Sequence, residues 1–171
     1  MRIGVISNTH GSIASIDRCM LRAGDVDGWL HLGDVICDAR YLAEKSGKPV
    51  YSVYGNCDGG CGTACPEEVV PEPQKGPAAE RVVVINGVRL FICHGHKYEV
   101  DLCPFTLSCR ARELDCQAAL YGHTHTSSVE AFGGVLLLNP GSPSRPRAGR
   151  KPSFAIMEVR GGKADAGIIV L

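Results

Sequence analysis

From Met1 to Gly55, short apolar runs alternate with stretches whose apolar residues recur at helical spacing. Arg2 to Ser7 is apolar and β-branched and predicts a buried strand. Ser12 is placed to cap a helix carrying Ile13, Ile16, Met20 and Leu21 on its apolar side. Trp29 to Leu32 predicts a second strand. Asp38 to Lys45 predicts a helix that stops at Gly47, and Val50 to Tyr54 a third strand. Two successive βαβ crossovers imply a parallel sheet with covering helices.

The pattern then changes. Cys57 to Ala79 is rich in Gly, Pro and Glu and reads as an irregular loop with a short turn near Glu67. Arg81 to Ile85 and Val88 to Cys93 flank Asn86-Gly87, a strong hairpin signal. Pro104 to Leu114 predicts a helix and Ala118 to Tyr121 a short strand. Val129 to Phe132 and Val135 to Leu138 form a second hairpin about Gly133-Gly134. Ser153 to Val159 and Ala164 to Val170 form a third, turning at Gly161-Gly162. A parallel first half and a hairpin-rich second half can bury two sheets face to face, with helices outside.

Composition narrows the class. The 171 residues fit one domain, spanning residues 1–171. Hydrophobic residues make up 44% and charged residues 21%, as in an ordinary globular protein. Formal net charge is zero, so charge does not indicate nucleic acid as a partner. No apolar run approaches the roughly 20 residues that span a bilayer. Met1-Arg2-Ile3 runs straight into a strand pattern without signal-peptide features, so the expected location is the cytoplasm. Nine cysteines, an odd count, then read as reduced thiols. Cys57, Cys61 and Cys65 could form a soft-metal site. No second cysteine pair accompanies them, so incidental loop thiols are the stronger reading.

The polar residues that stand out lie where strands end. Asn8-Thr9-His10 follows the first strand and Gly33-Asp34 the second. Gly55-Asn56-Cys57-Asp58 follows the third. His94-Gly95-His96 and Gly122-His123-Thr124-His125 follow two later strands. Ligands of open α/β sheets bind beyond the carboxyl ends of strands, so these turns are expected to converge. Singly, Asn-x-His or Gly-Asp is an ordinary turn. Together, they suit divalent cations. Imidazole binds zinc, iron, manganese or nickel, and carboxylate or amide oxygens suit the harder ions. Two ions roughly 3.5–4 Å apart need a ligand touching both. Asp34 is the natural candidate. Glycines beside the ligands permit close backbone approach. Of the six histidines only His31 stands apart, and it reads as a buried residue of the core or beneath the site.

In this order the motifs resemble those of the calcineurin-like metallophosphoesterases, with a closer likeness to the small bacterial and archaeal phosphodiesterase branch. Asn139-Pro140-Gly141-Ser142 also resembles that branch, and the likeness runs from Arg2 to about Val159. The resemblance implies a four-layer α/β/β/α sandwich of two mixed sheets. It implies one metal held by Asn8, His10, Asp34 and His125, and another by Asp34, Asn56, His94 and His123. Manganese is favoured, with nickel, iron or zinc as alternatives. Asp34, Asn56, His94 and His123 would form the catalytic set, around a bridging hydroxide that attacks phosphorus.

Two departures matter. The family carries Asp where this chain has Asn8, so the first metal is expected to bind more weakly than the second. Many larger members carry a His where this chain has Cys57, which argues against a strong protein general acid. Arg145 and Arg147 lie in an acid-free basic stretch ending near Lys151. They are candidates to contact substrate phosphate. A solvated basic loop is the plainer reading. The expected activity is hydrolysis of a small phosphate diester. The alternatives are a phosphomonoesterase or pyrophosphatase on the same metals, or a non-catalytic scaffold resembling the retromer subunit of this fold. A homo-oligomer, with contacts through edge strands and the Cys61-to-Ala79 loop, is left open.

Overall fold

Side chains on a strand point alternately to its two faces. A strand buried on both faces therefore reads as a continuous apolar run, which is what the first strands show. The computed structural model describes residues 1–58 and 78–171. Its elements begin with β1 (Arg2–Ile6), α1 (Ile13–Ala23), β2 (Gly28–His31), α2 (Cys37–Ser46) and β3 (Val50–Ser52). Then come β4 (Glu80–Ile85), β5 (Val88–Cys93), α3 (Phe105–Glu113), β6 (Ala118–Leu120) and β7 (Ser128–Phe132). β8 (Val135–Asn139), β9 (Ser153–Arg160) and β10 (Lys163–Val170) complete the order. Cys61, Cys65 and the turn expected near Glu67 lie outside the described residues.

The strands form two mixed five-stranded sheets, ordered β10-β9-β1-β2-β3 and β4-β5-β6-β8-β7. In the first, β1, β2 and β3 are parallel, and the β9–β10 hairpin joins antiparallel along β1. In the second, β5, β6 and β8 are parallel, with β4 and β7 antiparallel at the edges.

Three apolar clusters separate four layers. Ile3, Val5, Leu30, Leu32 and Met157 of the first sheet meet Leu90, Ile92 and Leu120 of the second between the sheets. On the outer face of the first sheet, Ile6, Trp29, Phe154 and Ile156 pack with Ile16 and Cys19 of α1 and Leu42 of α2. On the outer face of the second, Phe91, Ala119 and Leu137 pack with Leu107 and Ala111 of α3. The result is an α/β/β/α sandwich.

Two expectations for α1 are corrected. Its buried residues are Ser15, Ile16, Cys19 and Ala23, at spacings of three and four. Leu21 is off that stripe and is 82% exposed, and Ile13 is also exposed. Ser12 does stand at the N-cap, but its hydroxyl pairs with Ser15 Oγ and caps no backbone amide. The third strand is also shorter than expected. Regular pairing ends at Ser52, and Val53 makes an isolated bridge to Ala78. Among the described residues, no helix is long and apolar enough to cross a membrane, and no disulfide is present.

Candidate metal centre

The turns that leave β1, β2, β5 and β6 need abrupt changes of direction, and the backbone shows them. Asn8, His10, Asp34, His123 and His125 all have left-handed φ angles, between 48° and 65°. So does the β-branched Val35, at 69°. Such residues cost of order 1–3 kcal/mol each and persist where the surroundings over-determine them. Glycine makes the crowding feasible. A Cβ on Gly55 would lie 2.3 Å from Asp34 Oδ1, and one on Gly33 would lie 2.8 Å from His94 Nδ1.

Asp34 sits at the middle of the cluster and is almost fully buried. Its Oδ2 lies 3.6 Å from His10 Nε2, and its Oδ1 lies 3.3 Å from His94 Nε2. His10 Nε2 is 3.3 Å from His125 Nε2. On the other side, Asn56 Oδ1 is 3.1 Å from His94 Nε2 and 3.0 Å from His123 Nδ1. The carboxylate thus turns one oxygen to the His10–His125 pair and the other to the His94–Asn56–His123 group.

Backbone carbonyls fix which ring nitrogen is free. His94 Nδ1 donates to Leu32 O at 2.7 Å, and His125 Nδ1 donates to Arg145 O at 2.6 Å. In each neutral ring, Nε2 is then a bare lone pair. His94 Nε2 and Asp34 Oδ1 are therefore two acceptors facing one another. Asn8 is fully buried. Its Nδ2 donates to Gly141 O at 3.2 Å, and its Oδ1 has no hydrogen-bond partner. Converging acceptors and an orphaned buried oxygen are costly alone and fit a cation.

A sequence profile described as the calcineurin-like phosphoesterase superfamily domain matches residues 1–162. The chain belongs to this superfamily. Among its phosphoesterase relatives, Phosphodiesterase YfcE of Escherichia coli is 29% identical over 175 residues, covering 92% of this chain and 88% of YfcE. The crystal structure of a conserved predicted phosphoesterase from Streptococcus pneumoniae superposes with a TM-score of 0.76 at 26% identity. It covers 99% of this chain and 88% of its own. Zinc-complexed Vps29 from Entamoeba histolytica superposes with a TM-score of 0.71 at 20% identity, covering 99% of both chains, and shares the fold. Phosphoesterases of this superfamily use divalent metal ions, in keeping with the donor set gathered about Asp34.

Electrostatics disfavour protonation of His10, His94 and His125. Burial lowers the His94 pKa to about 4, against the opposing pull of Asp34. Burial likewise lowers His10 and His125. Burial pushes Asp34 up, but His94, the Cys57 amide and His10 outweigh it, so the carboxylate stays ionised below its ordinary range. The Cys57 thiol is held above its usual value by burial and by Asp34.

Arg145 and Arg147 are exposed side chains near His10, whose pKa they both depress. Their backbone is tied to the site, since Arg147 N donates to His125 O at 3.2 Å. His31 is fully buried. Its ring accepts from Gly33 N at 3.3 Å and pairs with Thr9 Oγ1 at 3.1 Å, so it props the first two site turns from below.

Sequence reasoning missed several supporting residues. Asp101 Oδ2 pairs with His123 Nε2 at 2.8 Å, which leaves His123 Nδ1 facing Asn56. Asp58 receives Ile36 N at 2.7 Å and Gly55 N at 2.6 Å, clamping two site turns together. Asp38 receives Gly11 N at 2.9 Å. Ser142 Oγ donates to Asn8 O at 2.8 Å. Asp58 and Ser142 were inside quoted motifs, so proximity alone could have flagged them. Asp101 carries no such signal.

Proposed function

We propose that the chain is a metal-dependent phosphodiesterase acting on a small phosphate diester in the cytoplasm, as one catalytic domain over residues 1–171. The observation that carries this is Asp34, with one oxygen toward His10 and the other toward His94. That arrangement supports two ions, one among Asn8, His10, Asp34 and His125, the other among Asp34, Asn56, His94 and His123. Manganese is the favoured ion. When bound, the ions supply Lewis acidity and a water of lowered pKa.

The protein's own groups do the rest. Asp34 ties the two halves of the site. The Leu32 and Arg145 carbonyls aim His94 and His125, and Asp101 aims His123. Arg145 and Arg147 place positive charge beside His10, where a phosphate can approach. No histidine follows Asn56, so the reading favours esters with good leaving groups. The scaffold reading draws on Asn8 alone, whereas the acceptor-lined cluster around Asp34 is intact.

The test is turnover of bis-p-nitrophenyl phosphate with manganese or nickel, in this chain and in Asn8→Asp. Both should turn over, the variant faster. The added carboxylate charge attracts a divalent ion more strongly than the Asn8–Gly141 hydrogen bond, worth about 1 kcal/mol, can offset. Absence of metal-dependent turnover in both proteins would sink the proposal. A monoester assayed in parallel should be the poorer substrate.

A further inference from the structure

We infer that Cys57 is itself a metal ligand, completing the half of the centre that holds His10 and Asp34. Its sulfur would supply there the anionic charge that Asn8 lacks. This rests on the metal-centre reading above and revises its ion for the first half to thiophilic divalent ions, such as zinc, cobalt or cadmium, leaving manganese to the half that holds Asn56, His94 and His123.

The geometry is direct. Donor atoms of His10, Asp34 and Cys57 all lie within 4.8 Å of one another. Donors on one tetrahedral zinc ion stand about 3.6 Å apart for sulfur and nitrogen. The three groups share an ion after side-chain adjustments of up to about 1 Å, within reach of rotamer changes of an exposed cysteine. The cysteine is also held in place. Cys57 N donates to Asp34 Oδ1 at 3.1 Å, and Asp58 clamps the same turn through Gly55 N at 2.6 Å. Asn56 directs Nδ2 toward Cys57 Sγ at 3.6 Å while its Oδ1 faces His94.

Charge gives the second argument. Without a sulfur ligand, this half has one carboxylate, shared with the other half, and the buried unpartnered oxygen of neutral Asn8. A thiolate returns the missing negative charge, its proton leaving to solvent as the sulfur takes the ion. Soft thiolate shifts preference away from manganese toward zinc-like ions, because selectivity follows ligand type and geometry.

The experiment is a cobalt titration of the metal-free protein, followed by absorption. The unaltered chain should show a near-ultraviolet thiolate-to-cobalt charge-transfer band together with visible ligand-field bands. Cys57→Ser and Cys57→Ala should lose the charge-transfer band and keep ligand-field bands, since His94, Asn56 and His123 remain. The variants leave every other cysteine in place. In competition, the preference for zinc over manganese should fall at least the ~10-fold that loss of even an outer partner costs a metal site. Cobalt bound with the same charge-transfer band in all three proteins, or with none in any, overturns the role of Cys57 and leaves the metal centre standing. No cobalt uptake by any of them removes the metal centre, and this inference with it. X-ray absorption of the zinc-loaded unaltered protein gives the same decision if the variants do not fold. A sulfur in the zinc shell supports the inference, and a shell of only nitrogen and oxygen overturns it.

Discussion

Asp101 is half-exposed, yet it decides which nitrogen of His123 faces the site. Its carboxylate accepts a hydrogen bond from Nε2 at 2.8 Å and leaves Nδ1 toward Asn56. His94 and His125 are set by backbone carbonyls, which no side-chain substitution removes. Of these three rings, His123 is therefore the one whose orientation can be changed by altering another residue. Asp101→Ala should lower metal affinity by about 10- to 100-fold, the usual loss for a partner of a ligating imidazole. Stability of the metal-free protein should change by less than about 1 kcal/mol, because exposed ion pairs contribute little. Calorimetric metal titration checks the first and urea unfolding the second. Unchanged affinity would show that His123 needs no such partner. The residues around Asp34 were legible because their chemistry is unusual and recurs at strand ends. Asp101 was not, because a single acid in a loop looks like any solvated charge until the fold carries it to His123.

At the scale of the strand, β1 and β2 carry a constraint that no motif shows. Gly4 is directly across from Trp29 in the parallel register. Both belong to the face covered by α1 and α2, and the indole lies where a Gly4 side chain would go. A Cβ there would be 2.2 Å from Trp29 Cε3. Trp29 is only 1% exposed and is hemmed in by Ile16, Phe154 and Ile156. Gly4→Ala should therefore destabilise by about 1–3 kcal/mol, the usual cost of overpacking, against a small gain from lost glycine entropy. Denaturant unfolding of the metal-free protein measures it. A loss below about 0.5 kcal/mol would mean that the ring has room to move. The elements themselves were legible in sequence, because β-branched runs and Asn-Gly or Gly-Gly turns encode strands and hairpins locally. Which face of α1 would be buried was less so. Four apolar residues suggested a stripe, but the face that met the sheet was set by Ile16, Cys19 and Ala23.

The topology joins the chain's ends. β9 lies antiparallel beside β1, pairing Gly4 with Ile156, and that choice depends on contacts far apart in sequence. The hairpin pattern of the second half was readable, but its division between two sheets was not. Packing the sheets brings the site turns together over a buried floor, which gives the whole molecule an acid sensitivity. His94 titrates at about 4 when folded and near its ordinary 6.5 when unfolded. Between those values the unfolded chain binds a proton that the folded protein refuses, so stability rises with pH across the window. It is fully present above 6.5 and lost as pH falls toward 4. The shift corresponds to about 3 kcal/mol. His10, His31 and His125 are lowered too, chiefly by burial, and act in the same direction. Asp34 is lowered as a carboxylate, so it adds a further loss only below that window. For the metal-free protein, the urea midpoint should be flat above pH 6.5 and fall steadily toward pH 4. Bound metal should steepen the fall, since protons compete for the same nitrogens. A midpoint unchanged between pH 6.5 and 4.5 without metal would mean that the imidazoles accept protons inside the fold, and that the acceptor-lined centre is looser than its distances imply.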